Sequence, residues 1–299
     1  MAIINRYEIE QIRSAISKQP VLLADGTPLP RLGQGTWNIG DDPSKRDEEI
    51  RTLRLGVELG MNLIDTAEMY GEGNSEQLVG EAIKGIRDEV FIVSKVYPHN
   101  AGLTRIATSC EASLRRLRTD RLDLYLLHWR GNVPLSETIE GMEKLVQEGK
   151  IARWGVSNLD TADMKELLRY DKGARCVTDQ VLYHLASRGI EYDLLPLLRE
   201  HRMPIMAYCP LAQAGSLRRG LVENKALQNI ANKYNVTPYQ LLLAWCTHEG
   251  DVIAIPKASS EEHVVDNAQA IFIDLSEEDI RSLDAEYAKP SRKMPLDMV

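Results

Sequence analysis

The 299-residue chain contains no apolar run approaching the roughly 18 to 20 residues that span a bilayer. Its start, Met1-Ala2-Ile3-Ile4-Asn5-Arg6-Tyr7-Glu8, lacks the apolar core of a signal peptide. There is no basic excess: the net charge is −8 and the pI is near 5.4. That speaks against coating nucleic acid or an anionic membrane, though one phosphate could still find a local basic pocket. Cysteine is scarce. Cys110, Cys176, Cys209 and Cys246 are scattered, with no CxxC and no Cys/His cluster of zinc spacing. His99, His184, His201 and His248 also lack metal-like partners. Free thiols in a reducing compartment are the natural reading, so the expected location is cytoplasmic. No Pro/Gly/Ser-rich linker interrupts the chain. Residues 1–19 read as an N-terminal extension and residues 20–299 as a single domain.

What is present is an adequate apolar fraction, 43%, and a strong repeat. Ile9, Ile12 and Ile16 have helical spacing in a short polar segment, which predicts a surface helix or a partly ordered arm. Asp25-Gly26 between two apolar runs predicts a hairpin with a type I′ turn. Strands and helices then alternate. Eight strands are expected near residues 34, 63, 92, 125, 154, 177, 206 and 254, about 30 residues apart for most of the chain, the length of a βα unit. Cap signals support the helices between them. Asn74 with Gln77, Thr237-Pro238 with Gln240, Asp160, and Ser276 with Asp279 all read as helix starts, and Gly60 as a stop. Two helices are expected between the last two strands. The pattern specifies a (β/α)8 TIM barrel with the hairpin as a plug across its N-terminal end and two extra helices. An open doubly wound sheet is the alternative. It is weakened because Gly33-Gln34-Gly35 has no third fingerprint glycine.

In a parallel barrel, chemistry sits where the strands end. Asp65 closes the run Leu63-Ile64, and Tyr70 follows closely. Lys95 follows Phe91-Ile92-Val93-Ser94, and His128 follows Leu124-Tyr125-Leu126-Leu127. One such residue would read as a cap or a solvated end. Three on successive strands converge on one mouth. A phenol with an ordinary pKa near 10 is a poor acid at neutral pH. Lys95 can lower that pKa, held in place by Asp65, and neutral His128 can orient a carbonyl oxygen. Such a set protonates a carbonyl. No side chain donates hydride, so a nicotinamide cofactor is implied.

Asp65, Tyr70, Lys95 and His128 in this order resemble the aldo-keto reductases, and within them the bacterial reductases of methylglyoxal and similar small aldehydes. The resemblance runs from Gly33-Gln34-Gly35-Thr36-Trp37 to Asn267. It is carried by Leu63-Ile64-Asp65-Thr66-Ala67 with Tyr70-Gly71, by Trp154-Gly155-Val156-Ser157-Asn158, and by Ile255-Pro256-Lys257. It implies that Tyr70 is the proton donor, Lys95 and Asp65 its partners, and His128 the carbonyl orienter. It implies that Ser157, Asn158 and Gln180 hold the nicotinamide carboxamide, that Tyr208 stacks on the ring, and that Cys209, Pro210 and Leu211 pass over the pyrophosphate. Thr36, Trp37 and Asp65 are expected at the cofactor as well. Lys257, Ala258, Ser259, His263 and Asn267 would form the adenosine-phosphate pocket, and Trp37 and Trp129, with Tyr70 and His128, the substrate cleft.

Two departures bear on the expectation. Ala258 and His263 stand where the family often has serine and arginine, so NADPH is expected, with NADH as a weaker alternative. The polar tail after Tyr287 is short, which suggests an open site and broad specificity. The expected partner is a small carbonyl substrate, with no nucleic acid or membrane, for a monomer. A cofactor-binding sensor or channel-associated subunit on the same fold is the competing reading. A barrel hydrolase fails for want of a metal cluster.

Overall fold

Helix α1 (Arg6–Ser17) and a hairpin of β1 (Pro20–Leu22) and β2 (Pro28–Pro30) precede the main body. The computed structural model describes residues 4–213 and 215–299. Helix α1 is more than a surface arm. Ile12 and Ile16 are buried in the main apolar core, with Ile9 packed against it. Asn5 caps the helix reciprocally with Glu8.

The hairpin forms where Asp25-Gly26 predicts it, with Val21 opposite Leu29, but its turn differs. Only Gly26 has positive φ (+83°), whereas a type I′ turn needs two such residues. The Gly26 amide donates to the Leu23 carbonyl, and the Leu23 amide to the Thr27 carbonyl. The loop is therefore one residue longer, with glycine in the left-handed position that closes it. Asp25 stays out of that region and is free to bind Arg153 at 2.8 Å, tying the plug to the barrel.

Eight parallel strands follow: β3 (Gln34–Gly35), β4 (Leu63–Asp65), β5 (Phe91–Val96), β6 (Leu124–Leu127), β7 (Trp154–Ser157), β8 (Asp179–Leu182), β9 (Ile205–Tyr208) and β10 (Val252–Ala254). Each pairs with the next in chain order. The ends join through a Leu32–Ala254 bridge, with the Gly33 amide 2.8 Å from the Ala254 carbonyl and the Gly35 amide 3.1 Å from that of Pro256. The cylinder is thus closed, a (β/α)8 barrel. Gly33-Gln34-Gly35 serves this closure. A Cβ on Gly35 would lie 2.7 Å from the Ile255 carbonyl oxygen.

Around the barrel run α2 (Arg46–Glu58), α3 (Asn74–Ala82), α4 (Ile106–Leu117), α5 (Leu135–Gln147), α6 (Thr161–Leu167), α7 (Leu194–Glu200), α8 (Ser216–Val222), α9 (Lys225–Tyr234), α10 (Pro238–Thr247), α11 (Glu261–Gln269) and α12 (Glu277–Glu286). The caps at Asp160, Thr237 and Ser276 form as the sequence implies, and Gly60 ends α2 at φ +94°. Asn74 does not cap α3. It is itself helical, and Gly73 at φ +94° takes the cap position without a side-chain bond. Helix α8 makes three helices, not two, between β9 and β10. Strand β8 starts at Asp179, just after the Cys176-Thr178 strand that the sequence predicts, and the ladder to β7 already begins there, the Val177 amide donating to the Trp154 carbonyl at 3.1 Å.

The apolar core has two layers. Plug residues Val21, Leu23 and Leu29 meet inward-facing Leu63, Val93, Leu124, Leu126, Met206 and Ile253 inside the barrel. The larger layer lies between barrel and helices. With the plug closing one end, the opposite end, where strands finish, is the place left for chemistry. Gly35→Ala should cost about 1–3 kcal/mol by crowding the closure. Urea denaturation measures this, and an unchanged midpoint would contradict the packing described.

Candidate active site

Strand β4 ends on Asp65 and β6 finishes one residue before His128. Lys95 is not beyond the end of its strand, as the sequence suggests. Strand β5 continues through Val96, so Lys95 is held in the sheet opposite Leu126. The side chain is completely buried. Its ammonium donates to Asp65 Oδ2 at 2.8 Å, to the Thr66 carbonyl at 2.8 Å and to the Tyr70 hydroxyl at 3.0 Å. Tyr70 is brought there by a turn in which its amide donates to the Ala67 carbonyl at 3.1 Å, and the chain then leaves through Gly71, Glu72 and Gly73, all at positive φ. The glycines allow it at no steric cost. The His128 ring stands edge-on to Tyr70 with centroids 5.8 Å apart. The four residues expected to form the tetrad are therefore together.

Their electrostatics follow from burial. His128 drops to about 2, because burial and then the Lys95 charge disfavour imidazolium. It is neutral in the working range, and its Nδ1 is buried without a partner among the described residues. Burial also lowers Lys95, against the pull of Asp65. Tyr70 is pushed well above the usual phenol range by burial first, then by the Asp65 carboxylate and Cys209. The expectation that Lys95 lowers the Tyr70 pKa is thus corrected: loss of solvent wins. Tyr70 keeps its proton at neutral pH, as a donor must, and Lys95 stands 3.0 Å away to meet the phenolate left behind.

A second polar ring joins the first. Gln180 Nε2 donates to the other Asp65 oxygen, Oδ1, at 2.7 Å. Ser157 Oγ donates to the Gln180 carbonyl at 2.8 Å. Asn158, left-handed at φ +57°, donates to the His128 carbonyl at 3.1 Å and accepts from the Tyr208 hydroxyl at 2.8 Å. Ser157, Asn158, Gln180 and Tyr208 thus lie at one mouth with the tetrad. Beyond β9, Cys209 and Ala212 have positive φ, and their turn spans Pro210 and Leu211. Arg218 on α8 donates to the Leu211 and Ala212 carbonyls, at 3.1 and 2.6 Å. The sequence reading missed this clamp because it missed α8.

The other expected residues separate. Thr36 is buried, and its hydroxyl is spent on the Asp65 carbonyl at 2.9 Å, with Ser75 donating to it at 2.7 Å. It supports the floor and does not face the mouth. Trp37, the next residue, is 45% exposed. Lys257, Ser259 and His263 are exposed, Ala258 packs against the core, and Asn267 is buried on α11. Ser260 caps α11, and Glu261 and Glu262 fill its first turn. Trp129 lies 4.9 Å from His128 and 5.8 Å, edge-on, from Tyr97, which stacks on His99 at 5.0 Å. Tyr97 and His99 extend the aromatic wall beyond the two tryptophans expected. Glu68 holds that wall by accepting the Tyr97 amide at 2.7 Å.

The tail, though short, is fastened. Lys293 bridges Asp160 and Asp193, and Asp297 accepts from Ser187. The tail is thus fixed to loops that follow β7 and β8.

Residues 31–288 match the Aldo/keto reductase family. The chain belongs to it. The reductase is 55% identical over 271 residues to methylglyoxal reductase YeaE of Escherichia coli strain K12, covering 91% of this chain and 95% of that protein. It is 33% identical to glyoxal reductase of Bacillus subtilis strain 168, covering 90% and 92%. A crystal structure of an aldo/keto reductase from Klebsiella pneumoniae, in complex with NADP and acetate, superposes with a TM-score of 0.92 at 56% identity, covering 94% and 99%.

Lys95→Met should leave the Asp65 carboxylate buried without its cation and cost the reductase about 3–5 kcal/mol. Adding Asp65→Leu should restore part of the loss in urea denaturation. Additive losses would show that the pair is not coupled.

Proposed function

We propose that the protein reduces small aldehydes and ketones, of the methylglyoxal-like 2-oxoaldehyde class, to alcohols with NADPH. The observation that carries this is the Lys95 ammonium set between Asp65 and Tyr70 beside a neutral imidazole. The likeness to methylglyoxal and glyoxal reductases supports the substrate class.

The residues at the mouth fit a nicotinamide cofactor. A carboxamide needs donors and acceptors together, and Ser157, Asn158 and Gln180 supply hydroxyl and amide groups side by side. Tyr208 offers a half-buried ring beside them. Lys257 and Ser259 would meet the adenosine phosphate, with His263 a weaker partner than arginine. Glu261 and Glu262 oppose an anion there, so the margin of NADPH over NADH should be modest. The bound cofactor supplies hydride. His128 donates a hydrogen bond to the substrate oxygen and turns it toward Tyr70. As negative charge gathers on that oxygen, Tyr70 delivers its proton, and Lys95 stabilises the phenolate. Asp65 holds Lys95, and Gln180 holds Asp65. Trp37, Trp129 and Tyr97 would wall the substrate cleft. We read the enzyme as a cytoplasmic monomer, since one chain supplies the whole tetrad and its four cysteines are free thiols among the described residues.

NADPH oxidation with methylglyoxal tests the proposal. Tyr70→Phe should retain NADPH binding and lose about 100-fold or more in turnover; equal turnover would remove Tyr70 from the reaction. The donor must be protonated, and its pKa is raised, so turnover is present below that pKa and lost above it. The wild-type turnover number should stay level between about pH 5.5 and 7.5, where an ordinary histidine titrates, and fall only in alkali. A limb near the usual histidine pKa would contradict a neutral His128.

A further inference from the structure

Strand β8 carries a second buried carboxyl that the reaction does not use. Asp179 is fully buried and directly precedes Gln180, opposite Val156 on β7 and Ile205 on β9. Gln180 reaches inward to Asp65, whereas Val181 packs in the outer layer. By alternation Asp179 faces outward, on the side of the turn Ser157-Asn158-Leu159 that leaves β7. Among the described residues neither of its carboxyl oxygens has a hydrogen bond of ordinary geometry, and the one donor that acts on it is the Leu159 amide.

The groups that face it are few. They are the Leu159 amide from the turn, Asp160 and Asp163 from α6 and its cap, Cys176 ahead of the strand and Tyr208 on β9. Asp160 is paired with Lys293, and Asp163 with Arg130 at 3.6 Å, so neither neighbour brings a free cation. Burial, then the two aspartates, raise the Asp179 pKa well above the carboxylate range, against the Leu159 amide. An unpaired ion in such a place is strongly disfavoured, so the group stays neutral.

The turn beside it is the hub of the second polar ring. Asn158 is left-handed and ties the His128 carbonyl to the Tyr208 hydroxyl. We propose that Asp179 is a positioning residue: as a neutral carboxylic acid it fits against the Ser157-Asn158-Leu159 turn in the shape that receives the nicotinamide carboxamide, and its ionisation disturbs that shape. The proposal rests on the cofactor reading given above. An ionised carboxylate demands donors, and the Leu159 amide is the one the turn offers. Drawing it in moves Asn158, the adjacent residue. The reacting oxygen is held by His128 and Tyr70 on other elements, so the effect falls on cofactor affinity more than on the chemical step.

The test compares wild type with Asp179→Asn, which keeps the shape and cannot ionise. NADPH dissociation constants and turnover numbers are measured between about pH 6 and pH 10. The wild type should lose about tenfold more NADPH affinity than Asp179→Asn by the alkaline end, the scale of one lost hydrogen bond. Thermal unfolding gives a second readout. The folded wild type holds a proton that the unfolded chain gives up above about pH 4, so its stability falls as pH rises. Asp179→Asn should therefore gain melting temperature over wild type between about pH 4 and pH 8. Coincident affinity curves, or a melting difference independent of pH, would overturn the proposal and leave the cofactor reading intact. No NADPH binding by the wild type would overturn both.

Discussion

The buried ion pair between Lys95 and Asp65 is the constraint on which the mouth of the barrel depends. An ammonium without any solvent exposure is tolerated only when its charge is met and its protons are all placed. Asp65, the Thr66 carbonyl and the Tyr70 hydroxyl do so at 2.8, 2.8 and 3.0 Å. Each partner makes a demand on the backbone. Asp65 must sit at the last position of β4, next to β5. Thr66 must turn its carbonyl inward. Tyr70 must return within five residues, which the turn closed by its amide on the Ala67 carbonyl achieves. The Thr36–Ser75–Thr66 hydroxyl cluster beneath fixes the strand exit.

The pair also links the two halves of the site. Asp65 gives one oxygen to Lys95 and the other to Gln180, so the proton-donating side and the proposed cofactor side share one carboxylate. Asn158 makes the second link, from the His128 carbonyl to Tyr208. Displacing either side is felt by the other through hydrogen bonds of ordinary length. The low polarity that makes this arrangement rigid also keeps His128 neutral and Tyr70 protonated.

Much of this was legible in the sequence, for physical reasons. Strand ends in a parallel barrel share one face, so Asp65 and His128 could be placed by counting apolar runs. Caps at Thr237 and Ser276 could be read because side-chain spacing determines them. What escaped depended on backbone geometry or long-range burial. The Asp25-Gly26 turn took one left-handed residue instead of two, because it closes a three-residue loop on Gly26 alone. Asn74 became helical because Gly73 took the cap position. The Tyr70 pKa moved opposite to the expected direction because a charge count along the chain contains no desolvation. Asp179 gives no local signal: its strangeness is the absence of partners, which only the folded chain reveals.

The most direct test of the ion pair's role is a double-mutant cycle on kcat/KM for methylglyoxal, using Lys95→Met, Tyr70→Phe and their combination. If Lys95 acts through the phenol, the double mutant should be about as slow as the slower single mutant, since residues that work as a unit are strongly non-additive. Losses that simply multiply would contradict it, because Lys95 would then serve the reaction independently of Tyr70.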